Sequence, residues 1–295
     1  MIIINNRRFD YIHDAIADNL YNYGITVAAS NWQGQDISKL PDMTPTELQN
    51  VVFEMFMPET ITDAQEWIKP NLPWADDHFE ERVAGFPVNP PPSADTWPFK
   101  QAGHKDHVDH DGKFSHTYPE RFWPKHAGEG HPPWFCWPEV EGVSPANCVK
   151  GPHRGVRFEY GDLEDVVALL HSDRHTRQAY LPIWFPEDTG ATEGQRVPCS
   201  LGYHFMIRQN KLHVTYLIRA VDFMRHFRDD VYMAVRLAEW VRDELDVEDG
   251  VNLRMGNLTM HTMSMHCFEG DLPALGRMVE GIAKERSGRL MGALR

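Results

Sequence analysis

The sequence has little that would mark a membrane, secreted or nucleic-acid-binding chain. No stretch approaches the ~18 apolar residues of a bilayer-spanning helix. The start, Met1-Ile2-Ile3-Ile4-Asn5-Asn6-Arg7-Arg8, lacks the long apolar core of a signal peptide. Positive charge is scarce: 29 Lys and Arg stand against 43 Asp and Glu, a formal net charge of −14. A nucleic-acid partner needs a basic footprint, so that class is disfavoured, although a few converging arginines can still hold a small anion. Cysteine is sparse too. Cys136, Cys148, Cys199 and Cys267 are widely spaced, which argues against a disulfide framework and for free thiols in a reducing cytoplasm. No internal repeat and no glycine-rich phosphate loop are present.

What is there describes an ordinary globular chain. Its 295 residues, 42% hydrophobic and 24% charged, suffice for a single domain over 1–295 with a substantial interior. Periodicity predicts helices over 14–23 and 44–57, the second from Leu48, Val51, Val52, Met55 and Phe56 at helical spacing. Residues 84–153 are dense in proline and lose all periodicity, so they read as an irregular insertion. Its histidines, among them His104, His107 and His110, alternate with Asp106, Asp109 and Asp111. Without paired cysteines that pattern is a solvated loop before it is a metal site.

Beyond the insertion order returns. Asp162 is placed to cap a helix, and 177–185 reads as a strand. A β-hairpin is expected over 198–207 and 211–219, turning at Gln209-Asn210. A helix over 230–245, a strand over 258–268 and a helix over 272–286 follow. Strands and helices mix without regular βαβ alternation, which predicts an α+β fold.

The chemistry concentrates around Cys199, in Val197-Pro198-Cys199-Ser200. A lone cysteine is usually core filler. Here, however, the paired strand ends in Arg219-Ala220-Val221-Asp222, and the next helix opens on Asp229-Asp230. A guanidinium near a thiol favours the thiolate, so the set suits nucleophilic attack on an anionic substrate. Each member also has a plainer role: Arg219 can pair with Asp222, both aspartates can cap the helix, and His266 can be a hydrogen-bonded core histidine.

Read together, these segments resemble the thymidylate synthase superfamily, and most closely its pyrimidine nucleotide hydroxymethylase branch. The resemblance covers roughly residues 155–270 well and 45–80 weakly. Val197-Pro198-Cys199 looks like the family's nucleophile motif, and Arg219-Ala220-Val221-Asp222 its Arg-Ser-x-Asp. Phe227-Arg228-Asp229-Asp230 is similar to the base-contacting stretch, and His266-Cys267-Phe268 to the sugar-contacting His-x-Tyr. Thr176-Arg177-Gln178 resembles a Ser-Arg-Arg segment, and Thr117-Tyr118-Pro119-Glu120-Arg121 a Tyr-Gly element beside the site.

The resemblance implies a mixed β-sheet flanked by helices, a sheet-mediated homodimer, and 5,10-methylenetetrahydrofolate with a pyrimidine nucleoside monophosphate as co-substrates. By the same resemblance Cys199 is the nucleophile and Glu54 the catalytic glutamate, with Glu47 the alternative. Arg219 and a second subunit's Arg177 take the phosphate, His266 the sugar, Tyr118 the substrate and Asp222 the pterin side.

The departures are informative. Asp230 stands where synthases acting on uracil have asparagine. An ionised carboxylate only accepts hydrogen bonds, whereas cytosine offers an amino donor and an N3 that can share a proton with an acid. That points to C5 hydroxymethylation of dCMP or CMP. C5 methylation of dCMP or dUMP is the alternative, and a silent nucleotide-binding protein the reading from another class. The helix start is expected to keep Asp230 charged. Ala220 and Gln178 lack the family's phosphate contacts, which Arg196, Arg7 or Arg8 would then supply.

Overall fold

The computed structural model describes residues 1–6, 8–32, 35–99, 112–125, 161–190, 196–249 and 252–293. Arg7, Cys136, Cys148 and the histidines at 104, 107 and 110 lie outside the described residues, so the expectations placed on them are not addressed. Cys199 and Cys267 are free thiols. Among the described residues no helix is long and apolar enough to cross a membrane, and no group of three His, Cys, Asp or Glu side chains could hold a metal ion.

The strands are β1 (Ile2–Asn5), β2 (Ile25–Thr26), β3 (Asn31–Trp32), β4 (Gln35–Asp36), β5 (Pro45–Phe56), β6 (Tyr180–Pro182), β7 (Ser200–Arg208), β8 (Lys211–Asp222) and β9 (Arg254–Phe268). The helices are α1 (Phe9–Tyr23), α2 (Ile61–Ile68), α3 (Trp74–Val83), α4 (Tyr118–Phe122), α5 (Leu163–Ser172), α6 (Phe227–Asp249) and α7 (Leu272–Ala293). Seven strands form one mixed sheet in the order β1-β5-β9-β8-β7-β6, with β2 also paired to β5. Helices α1, α5 and α6 pack on it, while α2 and α3 pack on α6. The α+β expectation holds. So does the hairpin: β7 and β8 pair antiparallel around Gln209 and Asn210, at φ 52° and 56°. Two consecutive left-handed residues give the turn twist that matches paired strands.

The predicted helix over 44–57 is instead the twelve-residue strand β5. Its burial alternates out of phase across its middle. Thr46 and Leu48 are buried before Asn50, and Val51, Phe53 and Met55 after it. Asn50 sits at φ 54°, a left-handed kink that turns the second half of the strand over. Neighbouring strands switch in register with it. In β9, Leu258, Met260 and Thr262 are buried before Met263, and Met265 and Cys267 after it. In β8 the switch falls at Arg219 and Ala220, and β7 carries a register shift between Ser200 and Gly202. The kink therefore crosses four adjacent strands at one level. The predicted strand over 177–185 shrinks to β6, three residues long.

Strands β8 and β9 are parallel and joined through α6. The crossover brings the ends of both strands and the start of the helix to one edge. Since β7 runs antiparallel to β8, its first residue meets the end of β8, with Ser200 opposite Ile218.

A buried ion pair ties α4 to the turn after β6. Arg121 Nη1 and Nη2 donate to Asp188 Oδ2 and Oδ1, both at 2.9 Å, with side chains 2% and 6% exposed. Asp188→Ala strands the guanidinium, which should cost about 3–5 kcal/mol of stability. Urea unfolding would check it; a loss under ~1 kcal/mol would mean that solvent already reaches Arg121.

Candidate active site

At the sheet edge the Cys199 turn is built by Arg219. The Arg219 backbone N–H donates to the Cys199 carbonyl at 2.8 Å. Its Nε donates to Pro198 O at 2.9 Å and one terminal nitrogen to Val197 O at 3.1 Å. Arg219 thus clamps three consecutive carbonyls of the segment carrying the thiol. It does not pair with Asp222, which accepts from Arg225 Nη1 at 2.8 Å and from the backbone N–H of Met224 and Arg225.

Cys199 is half-buried and touches the core. Burial pushes its thiol up from the ordinary value, Arg219 and Arg196 pull it back, and Asp230 pushes it further up. The upward push wins, so the resting site holds a thiol and not the thiolate that the nearby arginine led the sequence reading to expect. Iodoacetamide should therefore alkylate Cys199 with a rate still rising above pH 9. Arg219→Ala should move that rise to higher pH and Asp230→Asn to lower pH, read from the pH dependence of the alkylation rate. A plateau below pH 8 would contradict this balance.

Next to Cys199, Ser200 Oγ donates to Tyr118 Oη at 3.1 Å and lies 2.6 Å from Tyr216 Oη. Tyr118 starts α4, whose first turn is fixed by a capping box between Thr117 and Glu120. Burial, with Cys199 second, raises the Tyr118 hydroxyl well above its ordinary value. Asp230 lies in the first turn of α6 and is half-buried. Burial raises its carboxyl to about 7, against the pull of Arg82, with Asp229 and Asp222 adding to the rise. The expectation that the helix start keeps it charged is corrected: desolvation outweighs the helix dipole. Its neighbour Asp229 is engaged elsewhere, accepting from Asn71 N and Nδ2, both at 2.8 Å.

His266 stands opposite Asp222 on β8 and opposite Glu47 on β5. Burial lowers its imidazole, with Asp222 opposing, so the ring is uncharged at neutral pH. Glu54 is not brought to this edge. It pairs with Thr259, seven residues before His266 along β9, and accepts a hydrogen bond from the Thr259 hydroxyl at 3.5 Å. At roughly 3.3 Å per residue that is more than 20 Å away. The reason is the misread strand: a helix would have wound back what the strand carries off. Glu47 is the glutamate at the site end, where it accepts from Ser264 Oγ at 2.5 Å. Arg177 is exposed, and its carbonyl meets His204 Nε2 at 2.9 Å; no described contact joins it to the pocket. Arg8 is exposed and paired with Asp10 at 2.8 Å.

Arg82, His226 and Trp97 gave no functional signal in the sequence, whereas Arg196 was expected as a phosphate contact. Arg82, at the end of α3, lies over the Tyr118 ring with its guanidinium carbon 3.9 Å from the centroid. Arg196 is half-buried, and burial lowers its guanidinium, with Cys199 and Tyr118 opposing. Its carbonyl accepts from Ser115 Oγ at 2.8 Å. His226 stacks on Trp97 at 5.6 Å and 8°, with Phe99 edge-on. Burial brings that imidazole down to about 4. Three successive residue types (Arg-His-Phe at 225–227) gave no periodic signal for this wall.

Arginines beside a nucleophile suit an anionic substrate, a half-buried carboxyl near 7 suits proton exchange with a base edge, and flat rings suit a second aromatic ligand. No family model matches the chain. Curated relatives include a putative thymidylate synthase of Methanosarcina mazei, 31% identical over 42% of this chain and 54% of that protein. Another, of Methanococcoides burtonii, is 29% identical over 41% of this chain and 52% of its own length. The chain thus spans about half the length of the curated relatives it matches. Among solved structures, thermostable thymidylate synthase A from Bacillus subtilis superposes with a TM-score of 0.58 at 12% identity, covering 92% of this chain and 84% of its own. The chain has the thymidylate synthase-like fold, a mixed sheet with flanking helices around this edge.

Proposed function

We propose that the protein transfers a one-carbon unit from 5,10-methylenetetrahydrofolate to C5 of a cytosine nucleoside monophosphate, dCMP or CMP, and leaves it as a hydroxymethyl group. The observation that carries this reading is the meeting, at one sheet edge, of Cys199 held by the Arg219 clamp with Asp230, whose charge acts on the Cys199 thiol and, with Cys199, on the Tyr118 hydroxyl. Cys199 adds to C6, which makes C5 a carbon nucleophile. C5 bonds to the folate-borne methylene carbon, loss of the C5 proton expels tetrahydrofolate and leaves an exocyclic methylene, and water adds to that carbon. Departure of the sulfur then restores the ring.

Arg219 positions Cys199 and faces the phosphate, joined by Arg196. Arg177, exposed at the sheet border, suits a phosphate contact in a second copy of the chain. A homodimer through the outer sheet face, where Val52, Met206 and Leu217 are half-buried, would supply it. His266 meets the sugar and Tyr118 the substrate beside Cys199. Asp222, buried beside His226, whose ring stacks on Trp97, faces the pterin, whose flat face fits that aromatic wall. Folate supplies the carbon at the oxidation level of formaldehyde.

The names of the relatives favour a second outcome, methylation of dCMP or dUMP at C5. The two differ in what reaches the methylene, water or hydride. Incubation with methylenetetrahydrofolate and CMP, dCMP or dUMP, followed by product mass, separates them. A hydroxymethyl product without dihydrofolate is expected. A methyl product with one dihydrofolate per turnover would overturn the hydroxymethyl reading.

A further inference from the structure

Four consecutive carbonyls of the segment that carries Cys199 are each held from outside it. Residues 196–199 precede β7 and belong to no helix or strand, so their backbone acceptors have no ladder to join and need partners elsewhere. Arg219 supplies a donor to three of them, on Val197, Pro198 and Cys199. The fourth, Arg196 O, is met from a different part of the chain. Ser115 Oγ donates to it at 2.8 Å and His116 Nδ1 at 3.1 Å. A carbonyl oxygen has two lone pairs, and here both are filled.

The same stretch reaches past the cysteine. Ser200, the residue after Cys199, donates its hydroxyl proton to Tyr118 Oη at 3.1 Å. Residues 115–118 therefore touch the chain three residues before Cys199 and one residue after it, while Arg219 grips what lies between. This stretch is itself anchored on two sides. Asn89 and Phe114 exchange a pair of hydrogen bonds, Phe114 N to Asn89 Oδ1 and Asn89 Nδ2 to Phe114 O, both at 2.8 Å. Thr117 Oγ1 donates to Val88 O at 2.7 Å, and the capping box with Glu120 joins Thr117 to the first turn of α4.

The chemistry of His116 suits the part. Arg196 O can only accept, so Nδ1 carries the ring proton. Burial brings the imidazole down to about 3, with Arg121, Arg196 and Arg219 adding to the fall and the bond to Arg196 O opposing it. The ring is therefore neutral at neutral pH, and its one N–H is spent on this carbonyl.

We propose that Ser115 and His116 are positioning residues for Cys199, the second jaw of a clamp whose first jaw is Arg219, and that together they fix where the sulfur points when a pyrimidine ring arrives. This rests on the nucleophilic role proposed for Cys199. A reacting atom misplaced by about 1 Å can cost ~100-fold in rate, and without the second jaw the turn is held from β8 alone. Its loss should slow the step made by the sulfur and leave the nucleotide's own contacts in place.

The test reads turnover and thiol access in the full-length protein. In the double variant Ser115→Ala with His116→Leu, kcat for tritium release from C5 of dCMP or CMP should fall about 30–100-fold, with KM within about threefold of native. His116→Asn keeps a donor, its amide standing where Nδ1 stood, and should stay within about fivefold of native kcat. An unchanged kcat in the folded double variant overturns the proposal, as does a loss in His116→Asn equal to that in His116→Leu. Where the double variant does not fold, His116→Leu alone is read, with a fall of about tenfold expected.

Alkylation of Cys199 by iodoacetamide, followed by peptide mass, tests the clamp apart from the reaction. At fixed pH its rate should rise at least about threefold in the double variant, because a loosened turn exposes the half-buried sulfur, and should return towards native in His116→Asn. That pattern in a protein that turns over no pyrimidine nucleotide upholds the clamp and refutes the proposed function instead. An unmoved alkylation rate in such a protein overturns the clamp.

Discussion

Replacing Cys199 by alanine should abolish release of tritium from C5 of a labelled cytosine nucleotide, a fall of roughly 10⁴–10⁶-fold. C5 of an unactivated pyrimidine does not exchange its hydrogen or attack carbon; it does so once a nucleophile has saturated C6. Among the described residues the other cysteine, Cys267, is buried, and burial holds its thiol up at about 12. It offers no substitute. The variant should fold, because Cys199 packs only half-buried at the core's border and the turn is held by backbone carbonyls that Arg219 clamps. Release above about 1% of the native rate in a folded variant would show that the sulfur is not the nucleophile.

The second large effect falls on the base. Asp230→Asn should shift the ratio of kcat/KM for cytosine over uracil nucleotides towards uracil by about 10–100-fold, the worth of one charge-assisted hydrogen bond. Below pH 7 the native carboxyl holds a proton that cytosine N3 can take, while its carbonyl oxygen accepts from the exocyclic amine. Uracil brings its own N3 proton and places the developing charge on O4, which an amide N–H answers. The sign of the pH effect follows from the raised carboxyl at about 7. The proton-bearing form exists below that value and is lost as pH rises through it, so cytosine turnover should fall on the alkaline side. In Asp230→Asn that fall should vanish. An unchanged ratio would leave Asp230 as a helix-end carboxylate with no part in choosing the base.

Much of the site was legible because it is built from sequence-local geometry. Hairpin alternation and the Gln209-Asn210 turn set β7 beside β8, and that register alone puts Arg219 against Cys199. The amphipathic α6 places Asp230 over the same edge. Glu54 was lost for a specific reason. The left-handed kink at Asn50 reverses the strand's alternation, so Leu48, Val51, Val52 and Met55 fall at the spacings of a helix. A period-2 pattern with one reversal mimics a period of 3.6.

Arg82 was illegible for another reason. A charged residue on a charge-rich helix reads as solvated, and only the packing of Tyr118, His78 and Trp123 reveals that it is buried. Likewise, the raised Asp230 carboxyl depends on desolvation, which no spacing records.

The most direct test of covalent chemistry at Cys199 uses a C5-fluorinated cytosine nucleoside monophosphate, whose fluorine cannot leave as a cation, together with methylenetetrahydrofolate. After denaturation and proteolysis, the peptide containing Cys199 should carry the summed mass of nucleotide and folate in near-stoichiometric amount. A Cys199 peptide of unmodified mass, in a sample whose nucleotide binding is independently verified, would contradict the account.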